Sequence, residues 1–226
     1  MKITYLGHAS LAIEVAGKNI IVDPFISANE LASHIDVNAL KADYIFITHA
    51  HGDHILDVET ITKNNPEVVI VSNAEIAGHY EAKGFKSHPM NHGGSWEFDF
   101  GKVKYVNAVH SSSFPDGSYG GHPGGFVVTA NNKSVYIAGD TALTQDMKLI
   151  PLRTKLDLAV LPIGSNFTMD VEDAAIAAEF LEVKKVLGYH FDTFGYIKIH
   201  HETSKERFEN HNKELILLEI GSSIEI

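Results

Sequence analysis

A seven-residue segment reads Thr-His-Ala-His-Gly-Asp-His and directly follows the apolar run 44–47. Such a run is typical of a buried strand that ends at the edge of a sheet. Side chains two positions apart on an extended segment point to the same side, so His49 and His51 can reach one cation. Asp53 and His54 then begin the following helix on a second side of the same place. Because neutral imidazoles and a carboxylate suit zinc, manganese, iron or nickel, the segment predicts a metal site.

The composition restricts how such a site can be built. The chain has 226 residues, fourteen of them histidine and none cysteine. The lack of cysteine excludes disulfide frameworks, thiolate nucleophiles, iron–sulfur clusters and cysteine-type zinc sites. Lys and Arg number 18 against 29 Asp and Glu, a net charge of −11, which argues against an extended nucleic-acid surface. A metal would therefore be held by imidazole and carboxylate groups alone.

The chain shows no sign of a membrane segment or of a domain boundary. No run approaches the roughly 18 apolar residues that a membrane span needs, and the N-terminus enters a strand pattern without a signal peptide. We therefore expect a cytoplasmic protein. With 44% hydrophobic and 21% charged residues and no repeat or Pro/Ser-rich linker, residues 1–226 are predicted to form a single globular domain.

Short β-type runs alternate with helical segments along the whole chain. Hairpins are predicted at 15–19 and 130–133. Helices are predicted at 55–64, 74–83, 171–181 and 205–212. Asp170 and Ser204 are the expected N-caps of the last two helices. The alternation predicts an α/β fold in which two packed sheets are covered by helices.

The pattern H-x-H-x-D-H resembles the signature of the metallo-β-lactamase superfamily. That resemblance requires four further residues, in order and each at the end of a strand: an aspartate before the signature, then a histidine, an aspartate and a histidine after it. Apolar runs followed by a residue of the required type supply all four, at Asp23, His110, Asp140 and His190. The resemblance therefore extends over nearly the whole chain.

Four further motifs resemble a narrower group. They read LGHAS at 6–10, NHGGS at 91–95, LPIGSNFTM at 161–169 and HFDTF at 190–194. They are similar to the small metal-dependent hydrolase family related to the L-ascorbate-6-phosphate lactonases and N-acyl-phosphatidylethanolamine phospholipase D. The resemblance implies a four-layer αββα sandwich with a dinuclear metal centre where the two sheets meet.

The same resemblance implies a set of seven ligands for two divalent cations per chain. Three histidines would hold the first cation: His49, His51 and His110. The second would be held by Asp53, His54 and His190, and Asp140 would bridge the two. Zinc is the first choice, with manganese, nickel or iron as alternatives. Asp53 would also be the catalytic residue, because it can orient a hydroxide shared by the two cations.

Other residues are expected around these ligands. Asp23 and His8 are predicted to support the ligands through hydrogen bonds. Substrate contacts are predicted for His122, Asn166, Thr193 and Phe194. His122 lies in the Gly-rich stretch 111–125, which reads either as an active-site loop or as a surface connection. The proton donor to the leaving group stays open between a metal-bound water and His122.

The leading interpretation is a two-metal hydrolase in which hydroxide attacks a small phosphodiester, lactone, ester or thioester. One alternative is an RNA-processing nuclease, which would need a basic groove or an added domain. Another is a non-hydrolytic diiron redox or metal-sensing protein. We expect a small-molecule substrate and no nucleic-acid partner, and the sequence leaves a homo-oligomer open.

Overall fold

The first sheet is built mainly by the N-terminal half of the chain. The computed structural model describes all residues from 1 to 226. Six strands follow in sequence: β1 Lys2–Gly7, β2 Ser10–Val15, β3 Lys18–Val22, β4 Tyr44–Phe46, β5 Val69–Asn73 and β6 Ser87–Met90. The C-terminal strand β14, Ser223–Glu225, adds to the edge beside β1, so the order is β14-β1-β2-β3-β4-β5-β6. Pairing is antiparallel from β14 to β3 and parallel from β3 to β6.

The second sheet uses the rest of the chain. Its strands are β7 Ser95–Phe98, β8 Gly101–Asn107, β9 Gly124–Ala130, β10 Lys133–Ile137, β11 Leu158–Pro162, β12 Lys185–Tyr189 and β13 Glu214–Ile216. Their order is β13-β12-β11-β10-β9-β8-β7. Pairing is antiparallel from β7 to β10 and parallel from β10 to β13. Each sheet thus has one antiparallel and one parallel half.

Helices cover the outer face of each sheet. They are α1 Gly52–Ile55, α2 Val58–Asn64, α3 Ala74–Ala82, α4 Val171–Phe180 and α5 His201–Asn210. One apolar core lies between the sheets, and a further core lies between each sheet and its helices. Three cores separate four layers, so the predicted αββα sandwich is confirmed. None of the helices combines the length and apolar character that crossing a bilayer requires.

Local signals give most of the boundaries correctly. Both predicted hairpins form, and Asp170 caps α4 by accepting a hydrogen bond from the backbone N–H of Asp173. The predicted cap of α5 is wrong. Ser204 lies inside the helix, where its hydroxyl donates to the carbonyl of His200, and His200 occupies the N-cap position. The helix begins at His201, four residues before the predicted start at 205, because Nδ1 of His200 accepts from the backbone N–H of Thr203 and so satisfies a donor of the first turn.

The parallel strands carry the functional residues to one edge. Strands β3, β4, β10 and β12 are followed directly by loops that contain aspartate or histidine, and β8 runs into a further loop of this kind. Ligand sites in α/β sheets form where the carboxyl ends of parallel strands meet. This edge is where the two sheets bring their loops together.

Candidate metal centre

The seven side chains that the resemblance implied as metal ligands meet at this edge. They come from the loop after β4 and the start of α1, and from the loops after β8, β10 and β12. They form overlapping groups whose possible ligand atoms lie within 4.8 Å of one another: His49, His51 and His110; His49, His54 and Asp140; and His54, Asp53, His190 and His8. Residues separated by up to 182 positions are therefore brought to one place.

The first group consists of three histidines. His49 is fully buried, and its Nε2 lies 3.0 Å from Nδ1 of His51. The other nitrogen of His49, Nδ1, lies 3.1 Å from the hydroxyl of Thr48. That contact fixes the ring so that Nε2 faces the group. His110 contributes the third imidazole from the loop after β8, with its ring centre 5.1 Å from those of both other rings.

Asp140 lies at the centre of the whole cluster. Its Oδ2 is 3.0 Å from Nε2 of His190, 3.4 Å from Nε2 of His54 and 3.6 Å from Nε2 of His110. The side chain is almost completely buried after β10. A single carboxylate oxygen therefore lies close to histidines from all three groups.

Several of these atoms are buried without a hydrogen-bond partner. They are Nε2 of His54, both ring nitrogens of His190 and Oδ1 of Asp140. Buried polar atoms in proteins are nearly always paired, because an unpaired one costs about 1–3 kcal/mol. Nε2 of His54 and Nε2 of His190 both face Oδ2 of Asp140, and divalent cations bound among these groups would satisfy the two nitrogens. The donor set of imidazoles and carboxylates fits zinc, manganese, nickel or iron.

The protonation states favour metal binding by the first group. Burial lowers the pKa of His49 well below its ordinary value and lowers the pKa values of His51 and His110 as well. These imidazoles are therefore neutral near pH 7 and offer a free lone pair. Burial alone would raise the pKa of Asp140, but His190 and His54 beside it hold that pKa well below its usual range. The carboxylate is thus charged and ready to ligate.

Asp23 lies next to His54, one of the seven clustered side chains. Its Oδ2 is 2.9 Å from Nδ1 of His54. The same carboxylate accepts hydrogen bonds from the backbone N–H and the hydroxyl of Thr48, at 2.8 and 2.6 Å. All three groups are fully buried. The acceptor on Nδ1 leaves Nε2 of His54 to face the metal position.

His8 lies between Asp53 and the cleft wall. Its Nε2 is 3.0 Å from Oδ2 of Asp53, and its Nδ1 is 3.1 Å from the hydroxyl of Thr193. Burial lowers the pKa of His8 to about 4, although the hydrogen bond to Asp53 acts in the opposite direction. Because both ring nitrogens already have partners, His8 is better placed to orient Asp53 than to bind a cation.

Backbone strain is concentrated at the same site. His8, Asp23 and His190 have φ values of 53°, 43° and 57°. Residues with a Cβ atom seldom adopt this left-handed region, and such strain typically costs about 1–3 kcal/mol where structure holds it at a functional site. Each of these residues immediately follows a strand, so the strain turns its side chain into the cluster.

A cleft of about 1010 Å³ opens above the cluster. Two of the predicted substrate contacts, Thr193 and Phe194, line it. His122 and Asn166 do not. His122 points away beside Tyr119, and its carbonyl accepts from the amide of Asn73. Asn166 turns the chain with a φ of 58°, and this turn brings the next residue into the cleft.

Ten further residues line the cleft, and none of them is among the four predicted substrate contacts. They are Ala28, Asn29, Glu30, Leu31, Ser111, Phe167, Asp192, Gly195, Tyr196 and Lys198. A usable signal was the run of aromatic residues that follows the final histidine ligand, since large apolar side chains in a polar loop are rarely without a purpose. Residues 28–31 reach the cleft from the 3-10 turn Glu30–Ala32 and the two residues before it.

Fold and site define a protein of the metallo-β-lactamase class. A family model described as Beta-lactamase superfamily domain matches residues 18–191. A UPF0173 metal-dependent hydrolase of Flavobacterium johnsoniae is 73% identical over 226 residues and 100% of both chains. One from Christiangramia forsetii is 63% identical over 227 residues, again covering 100% of both chains. The solved structure of Igni18, a metallo hydrolase from Ignicoccus hospitalis, is 32% identical with a TM-score of 0.86, covering 99% of this chain and 97% of that one.

The chain therefore belongs to the UPF0173 metal-dependent hydrolase family of the metallo-β-lactamase superfamily. The predicted family and the prediction of a metal-dependent hydrolase are both confirmed.

Proposed function

We propose that this hydrolase uses two divalent cations, zinc in the first instance, to cleave a phosphodiester, lactone, ester or thioester of a small molecule. The observation that carries the proposal is the gathering of seven candidate ligands, Asp140 among them, in one overlapping cluster, with buried nitrogens that lack a hydrogen-bond partner. Two cations held there would supply an activated water nucleophile and would stabilise negative charge on the attacked group.

The ligands divide between two positions in the proposal. His49, His51 and His110 hold the first cation. Asp53, His54 and His190 hold the second, and Asp140 is shared. His51, Asp53 and His110 line the cleft, so both positions face the substrate. Open access of this kind distinguishes a catalytic centre from a closed structural one.

Asp53 has the catalytic role in this scheme. The hydrogen bond from His8, together with His54 nearby, keeps the pKa of Asp53 below its ordinary value even though burial acts to raise it. The carboxylate is therefore ionised near neutral pH. It can accept a hydrogen bond from the nucleophilic water and fix its direction of attack. His8 and Thr193 hold the carboxylate in place through the chain of contacts described above.

A small substrate fits the cleft better than a nucleic acid does. The cleft contains a single lysine, Lys198, alongside the acidic residues Glu30 and Asp192. RNA binding depends on several phosphate contacts from Lys and Arg.

All cleft residues come from one continuous sandwich, and we propose that residues 1–226 act as one domain.

Substrate panels with defined metal content test the proposal. Protein reconstituted separately with zinc, manganese and nickel is assayed against phosphodiesters, lactones and thioesters, and bound metal is measured by elemental analysis. Asp53→Ala should abolish turnover and lower the affinity for the second cation. Glu206→Ala, an exposed carboxylate change on α5, should alter neither. Unchanged metal content and turnover in Asp53→Ala would show that the assignment is wrong.

A further inference from the structure

Exposed apolar side chains are gathered around the mouth of the cleft. Phe167 is 51% exposed, Tyr196 79%, Leu31 51% and Phe194 36%, and all four line the cleft. The chain has ten exposed large hydrophobic residues in all, so four of the ten surround this one opening. Clustered exposed apolar surface of this kind marks a place where a ligand or partner binds.

Tight loops hold the aromatic rings in position. Ser165 and Asn166 have φ values of 63° and 58°, and the backbone N–H of Phe167 donates to the carbonyl of Ser165 at 2.6 Å. The second loop is closed by Asp192, whose N–H donates to the carbonyl of Ile197 at 2.9 Å. Left-handed conformations at residues with a Cβ are held against a local energy cost. The fold therefore maintains the rings at the opening instead of letting them pack on the core.

Two of the rings form one wall. The ring centres of Phe167 and Tyr196 lie 6.3 Å apart with an interplanar angle of 75°. Edge-to-face pairs with this spacing are favourable for aromatic groups, and a third ring or an alkyl chain can extend the pair. The wall lies in the same cleft as the metal centre, so a substrate can contact both.

A cation without a partner accompanies this wall. Lys198 follows the second loop, lines the cleft, is exposed and forms no ion pair. Most acidic residues of the cleft have other partners and are not paired with Lys198. Asp53 and Asp140 belong to the metal centre, and Asp192 contacts Nε2 of His201 at 2.7 Å. Only Glu30, on a separate segment, is otherwise free. In a chain with a net charge of −11, an unpaired lysine in the cleft favours an anionic ligand group.

Building on the hydrolase function proposed above, we propose that the substrate is an amphiphilic anion. Its hydrolysable group lies at the metal centre, and its aryl or alkyl group packs on Phe167 and Tyr196. A second, non-reacting negative charge pairs with Lys198. These three residues would then determine specificity and take no part in the chemical step.

Four probes separate the two parts of the proposal. The probes are glutarate, 3-phenylglutarate and the monoamide of each. Every probe has a carboxylate that can bind at the metal centre. They differ only in the phenyl group and in the second charge. Isothermal titration calorimetry on the zinc-loaded protein gives their affinities. Burying a phenyl group should tighten binding about tenfold or more, and the second carboxylate should add about threefold to fivefold.

Substitutions then assign each gain to its residue. Phe167→Ala should abolish the increase in affinity that the phenyl group gives and leave the increase that the second carboxylate gives. Lys198→Glu should abolish the increase in affinity that the second carboxylate gives and leave the increase that the phenyl group gives. Leu152→Ala and Lys41→Glu are matched controls, because they change an exposed apolar residue and an exposed lysine outside the cleft. Both controls should bind all four probes as the unaltered protein does.

The outcomes distinguish this proposal from the hydrolase assignment. Equal affinities for the four probes, or losses in the controls as large as those in the cleft variants, would overturn the amphiphilic-anion proposal. Hydrolysis is measured separately with the mono-S-methyl thioesters of the two diacids and with the phosphodiester and lactone panel. Residue-specific binding without any hydrolysis would count against the proposed function alone. Hydrolysis at the same rate with and without the phenyl group and the second charge would count against the proposed substrate specificity alone.

Discussion

Asp23 and His54 are joined by a fully buried contact of 2.9 Å between Oδ2 and Nδ1. The contact links the end of β3 to helix α1, 31 positions later in the chain. It fixes the orientation of the imidazole, and Thr48 fixes the carboxylate in turn. A supporting residue of this kind controls how well its histidine can bind a cation.

Asp23→Asn should therefore weaken the second metal position. The carboxamide keeps the size of the side chain but loses the charge that faces Nδ1 of His54. We expect the affinity of one of two cations to fall about 10–100-fold, while the other changes little. Chelator competition measures both affinities. Asp43→Asn, a change at a partly exposed carboxylate remote from the cluster, should leave both affinities unaltered.

Metal loading should stabilise the protein against heat. A ligand that binds only the folded state at about 100 times its Kd adds about 2.7 kcal/mol per site. For a chain of this size each kcal/mol raises Tm by about 2–4 °C. Differential scanning calorimetry with zinc, manganese or nickel should therefore show an increase that a chelator reverses. An unchanged Tm with all three metals would contradict the proposed centre.

Gly164 should be sensitive to even the smallest side chain. A Cβ built there would overlap the backbone carbonyl of His190 and meet Cβ of Ile197 at 3.0 Å. Gly164→Ala should therefore displace His190 and lower metal affinity by about tenfold or more. Gly78→Ala is the matched control, because its Cβ would contact nothing within 4 Å. Since Gly78 lies inside helix α3, that control should gain about 0.5–1 kcal/mol of stability.

His211, which lies outside the metal centre, should make the free energy of unfolding depend on pH. Its two ring nitrogens lie 2.8 Å from carboxylate oxygens of Glu179 and Glu172 on α4, and these contacts raise its pKa. A pKa that is higher in the folded state stabilises the protein below the unfolded value of about 6.5, and this contribution is lost as pH rises through the folded pKa. The ring is partly exposed and its ion pairs are screened by solvent, so the effect should stay below about 1 kcal/mol.

Urea denaturation of the protein and of His211→Gln, each at pH 5.5 and pH 9, measures this contribution. The stability difference between the two proteins should be larger at pH 5.5. A difference that is the same at both pH values, or larger at pH 9, would show that the two ion pairs do not persist in solution.

The nature of the centre was readable from the sequence because its chemistry is local. His49, His51, Asp53 and His54 lie within six consecutive positions, and their side-chain directions follow from a strand that ends and a helix that begins. The alternation of strands and helices could be predicted for a similar reason, since apolar runs and caps are properties of neighbouring residues, whereas the four-layer sandwich was implied by the family resemblance. The start of α5 was missed because a histidine, His200, provides the N-cap, and histidine is not among the residues preferred at that position.

The walls of the cleft depended on tertiary structure alone. His122 follows a promising Gly-rich stretch, yet the amide of Asn73 holds its backbone outside the cleft. Phe167, Tyr196 and Lys198 lie up to 31 positions apart and line one cleft only because the loops after β11 and β12 meet there. The sequence by itself determined the metal-binding chemistry, because ligand type and spacing are set along the chain. Only the tertiary structure decided what surrounds the cluster of histidines and aspartates, because those contacts join residues distant in sequence and depend on packing.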